Sequence, residues 1–167
     1  MEPLEFLIEY FRGERLTGLV LVPLGLLALG FSLYLWRAHA GAFMWGMVAP
    51  LVLVGLGFSL GGVGLAIKST RDIDRLRALY QESPTQLVEV ERPRMARVNA
   101  NWPRLKRTWA VIIIASLGLL FFVEVAWVEG AALVLLLVAG GLMTLDTLAE
   151  RRAEVYTAGL EQLASSR

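Results

Sequence analysis

The sequence predicts an all-α integral membrane protein with four transmembrane helices, arranged as two helical hairpins with charged helical extensions. Three observations carry this. Four stretches are long and apolar enough to cross a bilayer. They are apolar all round, whereas a soluble core helix alternates its faces. The positive charges between them fall almost entirely on one side. An open sheet is excluded, because it would leave backbone groups unsatisfied in lipid.

The hydrocarbon core needs about 20 apolar helical residues. The first span covers about 16–36, from Leu16 to Trp36, interrupted only by Pro23 and Ser32. The second covers about 43–67 without a charge, and Pro50 predicts a kink in it. The third has its apolar centre at Thr108–Val123 and reaches 108–127 when the flanking Trp127 is counted. The fourth is centred on Ala131–Leu145 and covers about 130–148.

The segments outside the spans also carry helical patterns. At the N-terminus Leu4, Leu7, Ile8 and Phe11 share a face, with Glu5, Glu9 and Arg12 around the rest. Such a helix either lies along the membrane interface or simply begins span one. The charged segment 68–107 starts with Ile73, Leu76 and Tyr80 at helical spacing, continuing the second helix. Ser83-Pro84-Thr85-Gln86 then fits a capping box with proline at the first helical position. A short helix through Glu91 is expected to break near Pro93, and Asn101-Trp102-Pro103 to open the helix that becomes span three. The stretch 149–167 is expected to extend span four and to pack Val155, Tyr156 and Leu160 against the 70s helix. The whole chain, 1–167, reads as a single membrane domain.

Charge sets the orientation. The segment between spans two and three holds Lys68, Arg71, Arg75, Arg77, Arg92, Arg94, Arg97, Arg104, Lys106 and Arg107. Arg12 and Arg15 precede the first span, and Arg151, Arg152 and Arg167 follow the last; the hairpin tips hold only Arg37. Positive charge resists translocation, so both termini and the central segment are expected in the cytoplasm. Ala38-His39-Ala40 looks like a cleavage site, but the apolar run before it exceeds the ~7–15 residues of a signal-peptide core. With no cysteine there are no disulfides, thiolate metal sites or lipidated cysteines. The preference for arginine over lysine and for Leu, Val, Ala and Gly points to a GC-rich bacterial genome and so to the inner membrane. The cationic face is explained by topology and gives no reason to expect nucleic acid. Two features repeat between the halves, Trp36 with Trp127 and Gly61-Gly62 with Gly140-Gly141; duplication and coincidence both account for them.

Candidate chemistry is sparse. His39 is the only histidine, so no nucleophile–histidine–acid set or multi-ligand metal site can be assembled. No enzyme activity, cofactor or metal is expected. Gly57, Gly61 and Gly64 stand at i, i+4 and i+7, the small-residue spacing that lets membrane helices approach. They either pack inside the bundle or form a docking face for a partner or a second copy. Glu124 and Asp146 are the candidate functional acids. A charge at the centre of a span costs roughly 2.5–3.5 kcal/mol, and both avoid it by lying near opposite ends of their helices, Glu124 among the outer headgroups near Arg37. They are too far apart to share one ion, and no span has the unwound middle of many transporter sites.

The leading expectation is therefore a non-enzymatic protein that binds another protein in or at the bilayer. In size, span count and lack of catalytic residues the chain resembles the polytopic inner-membrane immunity proteins that protect bacteria from membrane-targeting toxins. The resemblance implies binding to a pore-forming toxin, and carries no motif from which residues could be transferred. The alternatives are a small oligomeric transporter or channel, or an accessory subunit of a membrane complex. The expected partners are membrane lipid, a protein such as a toxin, and a second copy in a homo-oligomer.

Overall fold

A computed structural model describes residues 3–38 and 41–165. The described chain is four long helices, α1 (Pro3–Arg37), α2 (Ala42–Glu82), α3 (Pro84–Phe122) and α4 (Ala126–Ser165), and contains no strand among the described residues. Each helix has a segment long and apolar enough to cross a membrane. A helix of ~40 residues is about 60 Å long, twice the ~30 Å hydrocarbon thickness. Every helix therefore carries an apolar half and a second half that projects beyond the bilayer.

The two halves pack differently. In the projecting half, Leu7 and Phe11 of α1, Leu76 of α2, Leu87 and Met95 of α3, and Ala153, Tyr156 and Leu160 of α4 form one buried core. In the apolar half, between 6% and 22% of each membrane window is buried, so most of that surface is left to lipid. The firmly packed part of the molecule is its charged end.

Buried positions recur every seven residues on all four helices. On α1 they are Phe11, Gly18, Gly25 and Ser32; on α2, Gly55, Gly62, Ser69 and Leu76. On α4 they are Ala132, Ala139, Ala153 and Leu160, with half-buried Asp146 filling the gap. On α3, Met95 and Ser116 are buried, with Trp102 and Trp109 half-buried between them. A sustained seven-residue period is the pattern of left-handed supercoiling. Small residues on these stripes let backbones meet where lipid offers no hydrophobic drive. A Cβ on Gly25 would lie 2.6 Å from the Gly55 carbonyl oxygen, and one on Gly18 would lie 2.6 Å from that of Gly62. Ser32 Oγ donates to the Val48 carbonyl at 3.2 Å, closing the far end of the same contact. Gly46 of α2 and Gly130 of α4 meet backbone of the opposite helix in the same way, at Trp127 and Phe43.

Two sequence expectations require correction: the break in α3, and the burial of Val155, which is 52% exposed on α4 while Tyr156 and Leu160 join Ile73 and Leu76 in the core. The chain does not break at Pro93 or restart at Pro103, since α3 is a single helix with both prolines inside it. Each proline removes one N–H and frees the carbonyl four residues earlier. Both prolines face outward, while Leu87, Glu91, Met95 and Trp102 lie on the packed side before and after them. Packing on that face holds the helix through. Of the two alternatives for the N-terminal segment, the second holds: it is the start of α1, with Leu7 and Phe11 fully buried in the projecting core. The α2–α3 turn is as short as its sequence predicts. Ser83 alone separates the helices, and its side chain accepts from the Gln86 N–H at 3.4 Å ahead of Pro84 in the first helical turn.

Candidate functional site

The chief polar feature is a buried carboxylate that sequence reading passes over. Glu91 of α3 is fully buried in the projecting core. Arg75 of α2 donates to its Oε1 at 2.6 Å; Arg94 Nε and the Tyr156 hydroxyl of α4 donate to its Oε2 at 2.7 and 2.8 Å. The Arg94 guanidinium also lies 5.1 Å from the ring centroid of Phe11 on α1 and 5.9 Å from that of Tyr156. All four helices thus meet at one ion-paired node. A buried carboxylate that holds two guanidinium groups and a phenol is already engaged, and its arrangement is that of a clamp. The signal was an acid in register with Leu87 and Met95, four residues to either side on one apolar face, with Arg94 three residues on.

A second polar node joins α1 to α2. Tyr10 donates to Glu14 Oε1 at 2.8 Å, and Ser69 donates to Glu14 Oε2 at 3.4 Å. Burial, reinforced by the adjacent carboxylates Glu14 and Glu91 respectively, raises the pKa of both Tyr10 and Tyr156 well above the ordinary phenol value. Both phenols therefore stay protonated as donors.

The candidate acids lie at opposite ends of the apolar half; Asp146 is not near an end of its helix but at the middle of α4, because α4 runs on past it to Ser165. Glu124 is exposed in the short connection between α3 and α4. Asp146, some 20 residues into α4, is about 30 Å further along the helix. There it accepts from Trp109 Nε1 at 2.7 Å, tying α4 to α3, and one turn on Glu150 pairs with Lys106. His39 lies outside the described residues. Among the described residues there is no cluster of three or more side chains able to hold a metal ion.

Gly57, Gly61 and Gly64 do not pack inside the bundle. All three are exposed, and a Cβ on any of them would meet nothing within 4 Å. The glycines by which α2 approaches α1 are Gly55 and Gly62, two residues before Gly57 and Gly64 and so on nearly the opposite face. The open glycine stripe is one unoccupied surface of the apolar half. A second is an apolar groove of about 490 Å³ between α2 and α4, with Trp45, Pro50, Leu53, Trp127 and Leu135 along its walls.

Fold and polar network together define an all-α, four-helix multi-pass membrane protein, held at its charged end by a buried core and an ion-paired node. Comparison with protein-family models, curated proteins and solved structures finds no match.

Proposed function

We propose that this chain is a bacterial inner-membrane protein with both termini cytoplasmic, acting without catalysis by binding another protein in or at the bilayer. The most specific form of this reading is immunity to a pore-forming toxin. The observation that supports it most is the open glycine stripe. Gly57, Gly61 and Gly64 leave helix backbone bare on the apolar half, and among the described residues nothing lies within 4 Å of where their side chains would begin. A membrane helix partner gains close van der Waals contact on such a surface. The arginine and lysine asymmetry supports the orientation. Asp146 is engaged by Trp109 and Glu124 lies about a full membrane thickness away, which weighs against a shared role in ion coupling.

Gly61→Leu tests the reading. The added side chain enters open space, so stability should stay within about 0.5 kcal/mol of wild type. The variant should nevertheless lose the protein that co-purifies with wild type from native membranes. On the immunity reading it should also cease to protect producing cells from the toxin encoded beside it. A variant that keeps both association and protection contradicts a docking role for this face.

A further inference from the structure

A cleft of about 430 Å³ opens between α1 and α4 at the charged end of the membrane half, walled by Tyr10, Gly13, Leu16, Arg151, Arg152 and Val155. We propose that it binds the phosphate of an anionic glycerophospholipid, with the acyl chains running down beside Leu16.

Depth is the first argument. Leu16 begins the apolar run of α1, and Arg151 and Arg152 follow that of α4. Gly13 lies some 13 residues from the middle of the α1 run, or about 20 Å along the axis. The hydrocarbon ends at about 15 Å from the midplane, so the cleft sits in the headgroup layer. Charge is the second. Neither Arg151 nor Arg152 has an ion-pair partner among the described residues, in contrast to Arg75, Arg94 and Lys106 at the same end. Arg152 Nε is enclosed and makes no hydrogen bond, while its Nη2 donates to Thr17 Oγ1 at 3.2 Å. Shape is the third. The Arg152 side chain lies across Gly13, where a Cβ would stand 2.7 Å from Nη1. A bare backbone at position 13 is what admits the guanidinium to the cleft. Glu9 also borders the cleft, but it is mostly exposed and turns to Arg12 at 3.7 Å. Two arginines above an apolar wall match an anion that carries a hydrocarbon tail, and basic pockets between membrane helices bind such headgroups.

The test is native mass spectrometry of the full chain with phosphatidylglycerol, cardiolipin or phosphatidylcholine added in detergent. Wild type should retain the anionic lipids about tenfold better than phosphatidylcholine. Arg151→Gln/Arg152→Gln should bring that ratio close to one, whereas Arg107→Gln, at the same end but outside the cleft, should leave it unchanged. Because Arg152 also contacts Thr17, Arg151→Gln alone is the second variant; its exposed side chain can be removed without disturbing the fold, and it should lose severalfold of the preference. Millimolar inorganic phosphate should not displace the lipid. No preference in wild type, a preference that survives in the double variant, or displacement by phosphate alone would each overturn the proposal.

Discussion

Gly25→Leu should destabilise the protein more than a substitution of equal size anywhere on its lipid-facing surface. At Gly25 the first atom of a side chain already falls 2.6 Å from the Gly55 carbonyl oxygen and from the Ser59 nitrogen. These are backbone atoms, which cannot rotate away. The α1 and α2 backbones must separate, and the neighbouring contact at Gly18 and Gly62 is strained with them. Overpacking usually costs about 1–3 kcal/mol, and with a rigid obstacle the expected loss is at least ~3 kcal/mol. Leucine itself favours lipid, so membrane insertion should continue. Thermal unfolding in one detergent checks this against Gly57→Leu, which enters open space and should behave as wild type. A Gly25→Leu variant within about 1 kcal/mol of wild type would show that α1 and α2 do not meet there.

The second large effect is expected at Glu91. Removing one member of a buried ion pair typically costs about 3–5 kcal/mol, because the remaining charge stays uncompensated. Arg75 is 44% exposed and can turn to water, so its share is discounted. Arg94, 21% exposed and lying against the Phe11 and Tyr156 rings, has less access to water. Glu91→Ala should therefore lose about 3 kcal/mol, read from chemical unfolding of the projecting half. Tyr156→Phe removes one hydrogen bond to a charge and should lose about 1.5–3 kcal/mol. The phenols add a pH dependence. Their folded pKa values are raised, so their contribution is intact below the unfolded value near 10 and fades as pH rises above it. Stability should fall on the alkaline side of about pH 10, less steeply in Tyr156→Phe. A Glu91→Ala variant as stable as wild type would contradict the clamp.

The spans, the Ser83 cap and the charge asymmetry were legible because each depends on local composition. The unbroken α3 shows the limit of local rules. Pro93 and Pro103 break a helix by local rules, but whether they do depends on which face they occupy, and Leu87, Met95 and Trp102 supply tertiary packing on the other. The glycines teach the same lesson. Gly57-x-x-x-Gly61 matches a four-residue motif, yet the close contacts follow a seven-residue stripe that is visible only when Gly18 and Gly25 are aligned against Gly55 and Gly62. Glu91 is one acid among many charges, and its burial shows only in its register with Leu87 and Met95.

The proposed topology takes the apolar halves across the bilayer and leaves the charged core on the cytoplasmic side. The chain has no cysteine, so single reporters can be placed without background. Glu124→Cys sits in the α3–α4 turn, and Arg92→Cys sits on the exposed face of α3 at the charged end. In intact bacterial spheroplasts a membrane-impermeant maleimide should label Glu124→Cys at once and Arg92→Cys only after permeabilisation. Labelling of Arg92→Cys in intact spheroplasts, with Glu124→Cys protected, would contradict the orientation; equal labelling of both would contradict the four-span arrangement itself.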